Sequence, residues 1–285
     1  NIESENYNPN DLGFLYNSNE FNTNSTISYR IINPSKTFIN YKSSIEFEYN
    51  QLYYPRRFTE FDLKFSQIAT FKNYLTWGLY AKIQPVKEHD YFEARAGLDK
   101  VFKKSEYYGV RTFLSSDYRK KFALDGGIHG GIHPLNNGHK FGYRISPRIR
   151  FNDKIFASYV FSTEKKVNNT GYTLTHNDVS VFATRDIEFI TNVIEAQYVM
   201  SNKMSAKIKF RHHWEQVENH SFHSLSSEGF LTTSNYLGEH DVNFNAWNID
   251  LTYSWWFAPG SELSIVWKNA ILTNGTEVIN NYMDN

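Results

Sequence analysis

The chain has 285 residues, with 30 lysines and arginines, 30 aspartates and glutamates, and no cysteine. A net charge of zero argues against general nucleic-acid binding, and the lack of cysteine excludes disulfides, thiol catalysis and thiolate metal sites. No apolar run approaches the ~20 residues of a membrane helix; a mean hydropathy of −0.56 does not exclude an outer-membrane barrel, whose strands alternate lipid-facing and lumen-facing residues.

Period-two alternation recurs along most of the chain, and helical periodicity is nearly absent. Strands are expected at 25–33 and at 44–50, where Ile45, Phe47 and Tyr49 alternate with Glu46 and Glu48. At 61–66, Phe61, Leu63 and Phe65 oppose Asp62 and Lys64; at 75–83, Leu75, Trp77, Leu79, Ala81 and Ile83 share a face. Further strands are expected at 91–99, 107–115 and 120–132. The stretch FGYRISPRIRF at 141–151 puts Arg144, Arg148 and Arg150 on one face and Tyr143, Ile145, Ile149 and Phe151 on the other. Pro147 has the apolar parity but no N–H for the ladder, which predicts a bulge or a broken pairing. A strand at 155–162 is followed by a polar loop at 163–177, strands at 178–185, 190–200 and 205–214, a longer polar loop at 215–242, and strands at 247–257 and 261–269. Tight turns are expected at 152–154, 201–204 and 258–261. In this count of strands, the first of them falls on the opposite rim from the other two.

The segments are mostly about 9–11 residues, the length of a tilted strand crossing a bilayer, where sandwich strands run nearer to about 5–6. The expected fold is one all-β domain over 1–285, an antiparallel transmembrane (outer-membrane) β-barrel of roughly 12–16 strands. A soluble β-sandwich is the alternative, since half-buried strands alternate there too. Two features favour lipid: charges in mid-strand (Glu46, Glu48, Arg144, Arg148, Arg211), and Trp214, Trp247, Trp255 and Trp267 near the ends of apolar faces. Leu75, Trp77, Leu79, Ile208, Phe210, Ile249, Leu251 and Tyr253 are then expected to face outward. Arg144, Arg148 and Arg211 are expected to face inward, most within reach of a carboxylate, because an unpaired cation in a narrow interior is costly.

Three stretches resemble a family of Bacteroidota outer-membrane proteins in which a carbohydrate-binding-family-9-like domain precedes a C-terminal β-barrel of unknown function. They are NPNDLGFL (8–15), FRHHWEQV (210–217) followed by FHSL (222–225), and WWFAPGSELSIVWKN (255–269). The resemblance covers about residues 8–270. It implies an outer-membrane barrel in the cell envelope and no known activity. The carbohydrate-binding-like domain is not in these residues, so a glycan role would belong to that upstream domain and is carried to no residue here. The opening NIESENYNPN has neither a basic nor an apolar leader segment, and VINNYMDN at the end lacks a closing aromatic strand. The expectation is a piece of a longer polypeptide whose strands alone leave the barrel unclosed, with the missing strand coming from further residues of that chain or from a partner.

The stretch ALDGGIHGGIHP (123–134) is the first candidate for chemistry. His129 and His133 would chelate zinc on a helix, but on a strand they stand about 13 Å apart. Asp125 and His129 share a parity and are expected to meet Arg144 or Arg148 in a structural charge ladder, with a ligand-binding surface as the second reading. Lys207, Lys209, Arg211 and His213 form a second basic stripe, expected to pair with acids such as Asp250. Arg150 completes these interior binding candidates. Loop residues Glu218, His220, His223, Glu239, His240 and Asp241 would hold a metal only if they folded together. No nucleotide-binding, serine-hydrolase or zinc-protease motif appears, so no catalytic residue, metal or cofactor is expected. The expected function is non-enzymatic: an outer-membrane channel, binding platform or subunit of an envelope complex. Its partners would be membrane lipid and other outer-membrane or periplasmic proteins, and not nucleic acid. A barrel-embedded hydrolase and a soluble binding module are the alternatives.

Overall fold

In a computed structural model of the chain, residues 1–7, 18–276 and 282 are described. The strands are β1 (Ile2–Glu3), β2 (Glu20–Ile31), β3 (Phe38–Leu52), β4 (Phe58–Phe71), β5 (Thr76–Gln84), β6 (His89–Asp90), β7 (Phe102–Lys103) and β8 (Tyr107–Ser115). They continue as β9 (Phe122–His133), β10 (Gly138–Arg150), β11 (Ile155–His176), β12 (Val179–Ser201), β13 (Met204–Leu225), β14 (Leu231–Thr233), β15 (Val242–Ala258) and β16 (Ser261–Gly275). All but β6 and β7 belong to one 14-stranded antiparallel sheet in chain order, with β14 beside β13. Two of these 14, β1 and β14, are 2 and 3 residues long, which leaves 12 long strands in a meander. The outer edges of β2 and β16 are not paired with each other among the described residues, so the sheet is open and not a closed barrel.

Several sequence expectations change. The polar stretches 163–176 and 215–225 are strand and not loop: β11, β12 and β13 run 22, 23 and 22 residues, and one strand replaces the pair expected at 178–185 and 190–200. With 178–185 and 190–200 counted as the one strand β12, the turns at 152–154, 201–204 and 258–261 all lie at the same rim, along with the short connections 32–37, 72–75 and 116–121. The opposite rim carries 53–57, 134–137, 177–178 and the two long connections 85–106 and 226–241. Residues 91–99, expected as a strand, lie within the first of these and form no strand. Leu75 belongs to the turn before β5, its carbonyl accepting from the Phe71 N–H at 2.8 Å.

The faces follow the parity. Cα partners run Ile27–Ile45–Phe65–Ala81–Val110–Gly130–Phe141 across the first seven long strands, and Ile194–Phe210–Ile249 farther on. This apolar face is open: Ile45 is 45%, Val110 53%, Ile128 52% and Leu251 44% exposed. Trp77, Leu79, Ile208, Phe210, Ile249, Leu251 and Tyr253 all have its parity. From Met204 to Trp214 the face rises about 33 Å along β13, or about 25 Å of height at a 40° tilt. Beyond that band the parity turns polar: Lys165 pairs with Glu188, and Gln216 with Asn243.

At Pro147 the ladder is interrupted without a bulge. Pro147 stays in register with Leu124 of β9. On the β11 side pairing stops after Ile145–Phe161 and resumes at Arg148–Ser158 in the same register. The missing N–H thus interrupts pairing on one edge only and leaves the register unchanged.

Candidate functional site

The opposite face is polar and curls around a cavity of about 1110 Å³, reached by Glu46 on β3, Lys64 on β4, Lys82 on β5, Arg111 on β8 and Glu164 on β11. On its first wall the charges are matched. Lys64 contacts Glu48 and lies 3.5 Å from Glu46, and Lys82 lies 2.8 Å from Asp62 and 3.0 Å from Glu60. Glycines on this face give the rings room. A Cβ on Gly131 would stand 2.5 Å from the Tyr107 ring and one on Gly142 2.5 Å from the His129 ring, while Phe113 leans onto Gly78. Of the glycines in 123–134, Gly131 is the one with a neighbouring ring pressed against its backbone; Gly126 and Gly127 have no ring atom over them.

The predicted residues divide. Arg144, Arg148 and Arg150 share the polar face, but the carboxylate partners expected for Arg144 and Arg148 are absent among the described residues. Arg144 lines the cavity and makes no ion pair. Arg148 instead sits over aromatic faces, 4.5 Å from the Phe156 ring centre and 4.9 Å from that of Tyr118. Asp125 meets neither arginine; it accepts from the Tyr118 hydroxyl. His129 Nε2 donates to Glu164 Oε2 at 2.5 Å, and Lys166 flanks the same carboxylate at 3.4 Å. The second stripe is matched as expected: Arg211 pairs with Asp250, Lys207 with Glu195 at 2.8 Å and Lys209 with Glu195 at 3.9 Å. His213 Nδ1 stands 2.9 Å from the Thr191 hydroxyl.

The residues of 215–242 do not converge. His220 faces Asp186 at 3.2 Å, Asp241 accepts from the Asn219 N–H at 2.7 Å, and His240 stacks on Tyr236. Among the described residues no three His, Asp or Glu side chains are placed to hold a metal ion. His223 Nε2 lies 3.1 Å from the Ser221 hydroxyl and 2.9 Å from that of Thr184.

Sequence reasoning missed the cap. Segment 85–106 leaves β5 and crosses the mouth of the hollow to the far wall. Phe102 packs on Phe182 of β12 at 4.8 Å, and with Ala94 they form a buried core that Tyr172, Leu225 and Leu231 extend. Backbone and side-chain bonds fasten the cap: the Tyr172 N–H donates to Glu93 at 2.9 Å, the Lys103 N–H to the Gly229 carbonyl at 2.8 Å, and Arg57 to the Leu98 carbonyl at 3.1 Å. Within it, Lys104 bonds Glu88 at 3.0 Å and Asp90 at 2.6 Å. Burial alone would lower the Lys104 ammonium, but these two carboxylates outweigh it and raise the group above its ordinary value. Burial alone would raise the Asp90 carboxyl, but Lys104 and the N–H groups of Glu93 and Phe92 hold it below its ordinary range. The only sequence signal was the alternation of acids with lysines, Lys87, Glu88, Asp90 and Lys104, in a stretch without a clean period.

One polar cluster lies on the apolar face. Buried His212 donates from Nε2 to Asn245 Oδ1, 3.0 Å away, stands 2.9 Å from the Tyr282 hydroxyl, and stacks on Trp247 at 3.8 Å. Asn192 joins it and accepts from the Tyr159 hydroxyl at 2.6 Å.

Together these features define an all-β protein built as one long antiparallel meander, apolar on one face, polar and capped on the other. The sequence profile of a family described as a domain of unknown function (DUF5916) matches residues 1–285. The chain belongs to that family. No curated protein and no solved structure matches it. The NPNDLGFL stretch of the earlier resemblance lies outside the described residues.

Proposed function

We propose that the chain forms the wall of an outer-membrane β-barrel, non-enzymatic, whose interior admits anionic solutes. The observation that carries this reading is the two-faced sheet. Soluble monomers rarely leave an apolar patch larger than a few hundred Å² uncovered, whereas here about half-exposed aliphatic side chains recur from Ile45 on β3 to Ile265 on β16. A band about 25 Å tall is the height of a barrel's lipid-facing belt, and short turns at one rim with long connections at the other fit the same architecture. Arg111 and Arg144 without carboxylate partners favour anions over cations inside. The DUF5916 membership neither adds nor removes an activity.

The test is conductance of the purified protein in a planar bilayer. Anion-selective current is expected, and Arg144→Glu is expected to shift selectivity toward cations. Absence of current from a correctly inserted protein refutes the channel and leaves a binding platform or envelope subunit.

The Ser221–His223 pair at the rim favours a second reading, a barrel-embedded hydrolase. No carboxylate orients His223 among the described residues, so the expected result is no labelling of Ser221 by a fluorophosphonate probe. Stoichiometric labelling abolished in Ser221→Ala would establish the enzyme.

A further inference from the structure

Two of the unmatched cations, Arg111 and Arg144, share one place. On this face most lysines, and Arg211, have a carboxylate across the strand, yet Arg111 and Arg144 both line the cavity without one among the described residues. They flank β9: Arg111 is the Cα partner of His129, and Arg144 that of Gly127. Gly127 presents no side chain. A Cβ there would meet the Thr112 carbonyl oxygen at 3.0 Å and Phe113 Cβ at 3.2 Å, and no ring end covers the position. Phe113, the other neighbour of Gly127, turns its ring away onto Gly78. His129 leans the opposite way, over Gly142, and is held there by Glu164. What is left is a hollow over Gly127 with a free guanidinium on each side.

The rings beside it are ordered. Tyr80 is the Cα partner of Arg111, and its ring lies nearly parallel to that of Phe113, 17° apart with centres at 6.2 Å. Tyr80 is 36% exposed, so its face is open to the cavity. Glu46 and Glu48 are taken by Lys64 and Glu164 by His129, and Asp125 accepts from Tyr118 through one oxygen.

We propose that the hollow over Gly127 binds a ring-bearing organic anion, its charged group between Arg111 and Arg144 and its ring against Tyr80 and Phe113. Guanidinium forks match the oxygens of carboxylate and phosphate, and aromatic faces stack on flat rings without selecting among them. A cavity of about 1110 Å³ has room for such a solute. This inference rests on the anion-admitting interior proposed above and names its ligand class.

The experiment is calorimetry on the whole chain in detergent micelles, with phenyl phosphate as probe and inorganic phosphate and phenol as single-feature controls. Phenyl phosphate is expected to bind tightest. Arg111→Gln and Arg144→Gln are each expected to weaken it about 10-fold or more. Tyr80→Leu is expected to weaken phenyl phosphate about 3–10-fold while leaving inorganic phosphate unchanged. Equal binding of phenyl phosphate and inorganic phosphate, or full binding by the Arg111→Gln/Arg144→Gln double variant, overturns the site. Anion-selective conductance without phenyl phosphate binding sinks this inference and leaves the channel standing. Binding without conductance supports the site and sinks the channel.

Discussion

Leu251→Arg is expected to cost roughly 2–4 kcal/mol of folded stability in bilayers, and to lower the fraction of protein that inserts into vesicles. Leu251 sits in the middle of the apolar band, between Ile208 and Trp267, and is 44% exposed. In lipid an arginine there has no water and no carboxylate within its row. Val266→Arg is the control. Val266 lies one position from Trp267, at the same height on β16 but with the opposite parity, opposite Thr252. On the polar face the same guanidinium stays wet, so little change is expected. The measurement is folding free energy from urea titration in vesicles, read by Trp fluorescence. In a soluble sheet Leu251 would be an ordinary surface residue, and its substitution would stay within about 0.5 kcal/mol. Equal, small effects at 251 and 266 would therefore refute the membrane reading.

Phe182→Ala is expected to release the cap while the sheet stays intact. Phe182 is fully buried and holds Phe102 and Tyr172 together. Truncating a ring in such a core costs about 3–5 kcal/mol, and the cap has no second apolar core among the described residues to replace it. Proteolysis should then cut within 85–106 much faster than in the wild type, with the β-strand circular dichroism unchanged. An unchanged cleavage rate would mean that hydrogen bonds alone hold the segment down. Acid should act in the same direction. The Asp90 carboxyl is depressed in the folded protein relative to its ordinary 3.8, so its contribution is complete above that pH and is lost as pH falls through the lower folded value. The Asp90 contribution is thus expected to hold from neutral pH to about 4 and to be lost only below it.

Much of the fold was legible because alternation is a local property. Wherever one face is apolar and the other wet, each strand announces itself, as at 44–50 and 247–257. The signal failed where both faces are wet. Residues 163–176 and 215–225 extend past the apolar band, so nothing there marks the period of two, and Asn and Thr read as loop. The register shifts at Lys166/Asn169 and Thr184/Arg185 also change parity within those extensions. Reading β12 as two strands moved the 152–154 turn to the wrong rim. The site was less legible. Parity placed Arg144, Arg148 and Arg211 on the polar face, yet only Arg211 met an acid.

The sequence by itself determined that this chain is all-β, which side chains share a face along most of each strand, and that no cysteine thiol chemistry is built in. Tertiary structure alone decided who meets whom. Pairing depends on register and on the curl of the sheet, which bring together residues far apart in the chain: Glu164 took His129 across β10, Tyr118 took Asp125 before an arginine reached it, and the cap found Phe182 on the far wall. A charge one strand to the side is about 5 Å away and one two strands over about 10 Å, so a single step of register separates an ion pair from the free guanidinium of Arg144.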